Sequence, residues 1–287
     1  MKPLARLALI LVLTLTVGAP AVRAGETFPP TTAPAGMTFI PAGDYAPLLR
    51  TKDEPERTPV AAYWLDIRPV TNAEFLEFVR AHPQWQRSRI GPLFGDRAYL
   101  ADWAGDLELG SAVPADAPVV RVSWFAARAY AKSAGKRLPT TAEWERAASA
   151  GFTTPVGASE PGFSGAILAW LGRPTPSPLP AAGAGRPNFH GARDLHGLVW
   201  EWVDDFNTAM TTGESRGDTG LERNLFCGAG AVGARDLTDY PAFMRIGMRS
   251  SLQANYAVPN VGFRCARALT PPSSDSSLRD SSVALRP

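Results

Sequence analysis

Apolar positions along the chain change period several times. Residues 37–45, MTFIPAGDY, alternate apolar and polar side chains before a glycine, which predicts a strand start. YWLDIRPV (63–70) reads as a buried strand that feeds a helix. That helix opens on a capping box, Thr71 with Glu74, and then places Phe75, Phe78 and Val79 on one face until His82-Pro83 ends it. PVVRVSW (118–124) reads as a second strand feeding a helix, with Ser123 as the cap and Gly135 as the stop. KRLPTTAEWERAASAG repeats the logic: Thr140 and Glu143 form a second capping box, Trp144 and Ala147 face inward, and Gly151 is the expected stop. The remaining runs are short, and 26 glycines and 27 prolines predict much irregular structure. Together these patterns predict an α+β domain with few long elements.

The ends of the chain read differently. Lys2 and Arg6 precede the apolar run LALILVLTLTVGAPAV, and Val22 and Ala24 suit the small-residue positions before a cleavage point. Residues 1–24 are therefore expected to be a signal peptide, cleaved near Ala24, with no stable membrane span left in the mature chain. A periplasmic or secreted location follows. Residues 25–36 read as a Pro-rich linker, 37–269 as one domain and 270–287 as a Ser/Pro-rich disordered tail. GRPTPSPLPAAGAGRP (172–187) reads as a long surface loop. Net charge is +2, with 29 basic and 27 acidic residues interspersed, which gives no electrostatic case for a nucleic-acid partner.

Export changes how the cysteines read. In an oxidising compartment the two, Cys227 and Cys265, are expected to pair as a structural disulfide; two buried thiols or a redox pair are the alternatives. The stretch DLHGLVWEWVDD (194–205) gathers four acids, a histidine and two tryptophans. Alternation puts Glu201 on the opposite face from Trp200 and Trp202. An aromatic core strand with solvated acids fits that pattern, and so does an acidic site. Trp124 and Trp144 read as core residues fixing two helices.

Four stretches stand in order: YWLDIRPVTNAEFLEFV, PVVRVSWFAARAYAKSAGKRLPTTAEWERAA, GARDLHGLVWEWVDD and MRSSLQANYAVPNVGFRCAR. Together they resemble the formylglycine-generating-enzyme family, the sulfatase-modifying-factor domains, over nearly all of residues 37–269. The resemblance implies that family's single-domain, loop-rich α+β fold, related to C-type lectin-like domains. It also implies one structural calcium site on Asp194, Gly197, Val199 and Glu201. Calcium prefers carboxylate and main-chain oxygens, which these residues offer. His196 reads as a local hydrogen-bonding or surface residue rather than a ligand.

The family is functionally mixed, so the resemblance implies fold more firmly than activity. Its copper-dependent oxidases use two closely spaced cysteines before the Arg-Ser-Ser stretch. Here those positions fall near Asp236 and Pro241, and neither is cysteine. Iron-dependent relatives need clustered histidines, and only His82, His190 and His196 exist. No copper or iron is expected, and formylglycine generation is disfavoured. The stretch beside the family's peptide groove retains Arg245, Arg249, Ser250 and Ser251. Its arginines are candidates to meet a peptide; internal salt bridges of Arg249 and Arg264 to the EWVDD region are the alternative. The expected function is an exported, calcium-stabilised accessory or maturation factor for another exported protein or peptide. The flavour of FCGAGAVGARD and RSSLQANYAVPNVGFRCAR resembles the denitrification-associated branch. A peptidyl or small-molecule oxidoreductase using another site, and a lectin-like binding module, are the alternatives.

Overall fold

Short ladders and capped helices pack around one aromatic core. The structure, a computed structural model, describes residues 32–48, 55–206 and 239–269. Strand β1 (Met37–Ile40) pairs antiparallel with β4 (Tyr63–Asp66), which pairs on its other side with β7 (Ala266–Ala268). All four β4 residues are buried, as the centre of a covered sheet requires. Phe39 and Trp64 face each other across β1 and β4 with ring centroids 5.6 Å apart. A second pair joins β2 (Gly43–Tyr45) to β3 (Thr58–Val60). The third is a two-residue parallel pair, β5 (Trp200–Glu201) on β6 (Val261–Gly262).

The helices begin where side chains satisfy their first amides. Helix α1 (Asn72–Ala81) and helix α3 (Thr141–Ala148) each carry a full capping box, Thr71 with Glu74 and Thr140 with Glu143. Helix α2 (Trp124–Ser133) starts on Ser123, whose hydroxyl accepts from the Ala126 amide, and Gly135 follows it with φ of +66°. Tyr63, Phe75, Val79, Val119, Trp202 and Phe263 form the middle of the core.

Three expectations shift. PVVRVSW makes no ladder: Pro118 forms one bridge with Thr71, and the backbone turns at Arg121, whose φ is +54°. A strand cannot run through that left-handed residue. Helix α3 ends at Ala148, before Gly151. Gly151 serves another need, because a Cβ there would lie 2.3 Å from the Glu160 carboxylate. Helices α4 (Phe163–Leu171) and α5 (Tyr240–Ser250) have no counterpart in the sequence reading. No described helix is long and apolar enough to cross a membrane. The expected signal peptide and tail, and Cys227, lie outside the described residues.

Candidate functional site

Helix α3 carries the site. Its capping box sets the register in which Trp144 and Glu145 turn inward and are buried. The Trp144 indole N–H donates to Glu201 Oε2 at 2.7 Å. The face of the same indole lies under two guanidinium groups, Arg249 at 4.9 Å and Arg245 at 5.9 Å from the ring centroid. Trp144 thus joins two ion-pair clusters.

The inner cluster is Glu201 with Arg264, both side chains fully buried. Arg264 donates twice to the carboxylate, Nε to Oε2 at 2.7 Å and Nη2 to Oε1 at 2.8 Å. Its remaining donors reach the carbonyls of Asp66, Ile67 and Arg193. A buried charge pair persists only when its hydrogen-bonding capacity is met in this way. The β5–β6 pair brings Glu201 and Arg264 together from opposite ends of the last third of the chain.

The outer cluster is Glu145 with Arg245 and Arg249 of α5. Arg245 contacts both carboxylate oxygens at 2.8–3.0 Å, and Arg249 donates to Oε1 at 2.6 Å. All three side chains are nearly buried. Burial alone raises the Glu145 carboxyl, but the charges of Arg245 and Arg249 outweigh it and hold the group at about 2. Arg249 therefore pairs with Glu145, not with the EWVDD segment, whereas Arg264 does pair there. The hydroxyls of Ser250 and Ser251 donate into the helix itself, to Ile246 and Met248 carbonyls. Among these four residues the arginines converge on one acid, and the serines point back along their own helix. Glu145 was missed by the sequence reading. Its signal was an acid on the apolar side of a short helix, beside Trp144.

The acidic stretch 194–205 does not fold as one strand. Asp194 has φ of +58°, and its carboxylate accepts from the amides of Gly183 and Gly185 at 2.5 and 3.0 Å. Gly197 has φ of +107°, a conformation that glycine adopts cheaply. No described hydrogen bond ends on the carbonyl of Gly197 or Val199. These two oxygens and the open lone pairs of Asp194 suit a hard cation, but the Glu201 carboxylate is neutralised by Arg264. Among the described residues no group of three or more His, Cys, Asp or Glu side chains is placed to hold a metal.

His196 sits at the back of the Trp144 indole. Its Nε2 faces the Ala148 carbonyl at 3.0 Å, and Nδ1 is buried without a partner. Burial, followed by the Arg245 charge, lowers the imidazole to about 4, so the ring is neutral near pH 7. His82 bonds the Phe78 carbonyl through Nδ1, on a different element from His190 and His196. Cys265 is fully buried, and its amide donates to Asp66 Oδ2. Burial, then the Asp66 charge, pushes its thiol up, the opposite of a reactive cysteine. Pairing with Cys227 involves a residue outside the described ones.

The sulfatase-modifying factor enzyme 1-like domain model matches residues 24–269. A hercynine oxygenase of Mycolicibacterium smegmatis is 36% identical over 159 residues, covering 47% of this chain and 35% of that protein. A formylglycine-generating enzyme of Streptomyces coelicolor is 36% identical over 170 residues, covering 52% of each chain. The inactive C-alpha-formylglycine-generating enzyme 2 of Mus musculus is 27% identical over 292 residues, covering 83% of this chain and 88% of that one. The chain thus spans between a third and a half of the first two relatives and most of the third. With the match running through the two capped helices, the Glu201–Arg264 pair and α5, this chain belongs to the sulfatase-modifying factor enzyme 1-like domain family.

Proposed function

We propose that the chain is an exported binding factor, an accessory or maturation protein for another exported protein or peptide, and not a formylglycine-generating oxidase. One observation carries the reading. By resemblance, the positions where copper-dependent members hold their cysteine pair fall near Asp236 and Pro241, neither of them cysteine, and Pro241 lies in the first turn of α5. Proline has no thiolate to offer copper. Of the chain's two cysteines, Cys265 is buried against Asp66 with its thiol pushed up. The nearby Glu145 supports the same reading, since two arginines, Arg245 and Arg249, hold its carboxylate ionised rather than poised as a general acid or base. A relative of nearly equal extent is named as inactive, which is consistent with a family member that does not oxidise cysteine. A role in denitrification and a lectin-like descent of the fold belong to the same proposal and rest on the sequence resemblance.

Calcium belongs to the proposal too. Asp194, with the carbonyls of Gly197 and Val199, would hold the ion, and the ion would tie loop 183–199 together without any chemical role. The Glu201 side chain keeps Arg264 in place. Removal of calcium by a chelator is expected to lower the melting temperature by a few degrees, roughly 1 kcal/mol in a chain of this size, and Asp194→Ala to remove the response.

The deciding experiment supplies the mature protein with copper(I), oxygen and a cysteine-bearing sulfatase peptide, and reads aldehyde formation by mass spectrometry. No conversion is expected, while crosslinking in the source cell retrieves an exported partner. Aldehyde formation by the wild-type chain overturns the proposal.

A further inference from the structure

A cavity of about 610 Å³ lies between α4, the 172–187 loop and the 188–197 loop. This volume is in the range of small-molecule sites. Phe152, Phe163, Ile167 and Trp170 supply its apolar wall. Its polar lining is mostly spoken for. Asn188 donates to the Ala147 carbonyl and accepts from the His190 and Ala192 amides. Asp194 accepts the Gly183 and Gly185 amides. His196 uses Nε2 on Ala148, and its Nδ1 is sealed inside the protein. Two lining side chains differ: Arg173 and Arg186 make no hydrogen bond or ion pair among the described residues.

Arg186 is nevertheless positioned. Its guanidinium lies 4.6 Å from the Phe152 ring centroid. Phe152 is in turn held by Glu160, whose carboxylate collects the amides of Phe152, Thr153 and Thr154 at 2.7–3.0 Å. The rim is thus built to present a cation over an aromatic wall. Among the described lining residues the one acid, Asp194, accepts two amides and keeps only the lone pairs assigned above to calcium.

We infer that this cavity binds a small aromatic acid, its ring against Phe152, Phe163 and Trp170 and its carboxylate on Arg173 and Arg186. The wall chemistry selects a flat apolar body, because offset and edge contacts with three aromatic rings favour one. The two unclaimed guanidinium groups select the charge, because arginine meets carboxylates in bidentate fashion. This inference does not depend on the proposed accessory function.

Titration calorimetry on the mature chain tests it with naphthylacetate as the probe and naphthylethanol as its neutral counterpart. The acid is expected to bind about tenfold more tightly than the alcohol. Arg173→Ala with Arg186→Ala, both exposed in loops, is expected to erase that preference and leave the alcohol's affinity unchanged. Ala169→Trp, an exposed α4 position in the lining, is expected to abolish binding of both by filling the space. A melting curve equal to wild type shows that each variant has folded. Equal affinity for acid and alcohol overturns the inference, as does binding that survives Ala169→Trp. Absence of binding overturns it as well, and is what a cavity filled by the chain's own residues or by a partner's side chain produces.

Discussion

Glu201 and Glu145 are both buried and both held by arginine, and Trp144 touches Glu201 on one side and the arginines of Glu145 on the other, yet the two are built on different plans. Glu201 has one arginine, at zero exposure, and every donor of Arg264 that faces inward finds a carboxylate or carbonyl oxygen. Glu145 has two arginines, both from one helix, at the edge of the buried region. The first plan is neutral and locks β5, β6 and the β4 end into one unit. The second carries surplus positive charge, spread over the Trp144 face, and ties α5 to α3. The inner pair lies within the residues that the family model matches and serves the frame of the fold. The outer cluster anchors α5 to α3 through Arg245, Arg249 and Glu145.

The difference sets a ranked series of effects. Arg264→Met leaves the Glu201 charge buried and alone, and is expected to cost about 3–5 kcal/mol by chemical denaturation. Adding Glu201→Met in the same chain is expected to recover most of that loss, since the cost lies in the orphaned charge. If the double variant is as unstable as the single, the pair is not the neutral lock described.

Glu145→Gln is expected to cost less, about 2–3 kcal/mol, because its arginines reach the edge of the protein and keep the Trp144 face. It also has a pH signature. The Glu145 carboxyl is lower in the folded state, about 2, than its ordinary 4.5. Its stabilisation is therefore present above pH 4.5 and lost as pH falls from there through 2, roughly 3 kcal/mol at most. Denaturation of Glu145→Gln across that window should show a flatter acid limb than wild type. An unchanged limb would place the acid sensitivity elsewhere.

Trp144→Phe keeps a ring under the arginines but removes the indole N–H from Glu201 Oε2. A cost of about 1–2 kcal/mol is expected. Double-mutant cycles of Trp144→Phe with Glu145→Gln and with Arg264→Met should each show coupling of about 0.5 kcal/mol or more. Additivity in both cycles would mean that Trp144 does not join the clusters. The smallest effect is expected at the helix start, where Thr140→Ala should cost about 1 kcal/mol through loss of the cap alone.

Which parts of this were legible in the sequence follows from the range of the forces involved. Capping boxes act over three residues, so Thr71–Glu74 and Thr140–Glu143 are readable from spacing. Helix α5 had a local signal as well, Asp239 as a cap with Pro241 in the first turn, and it went unread. Helix α4 had none, because Gly162 enters it at φ of +81° with no side-chain cap. Arg121, the residue that breaks the expected strand, looks like any other polar residue until Val122 and Leu100 bury around it. The ion pairs are the least legible. Glu145 meets Arg249 across 104 positions and Glu201 meets Arg264 across 63, and only the fold decides which acid takes which arginine. The sequence left Arg249 open between a peptide and the EWVDD segment, and the fold gives it to Glu145, a third partner.

The most direct test of the central claim, that this chain's buried polar groups serve structure and not redox chemistry, is elemental analysis of the mature protein. The sample is purified from the source cell under mild conditions, without chelator. About one equivalent of calcium per chain with no copper or iron is the predicted result, with the ion lost in Asp194→Ala. Stoichiometric copper or iron would contradict the claim and mean that the chain assembles a redox centre away from Pro241.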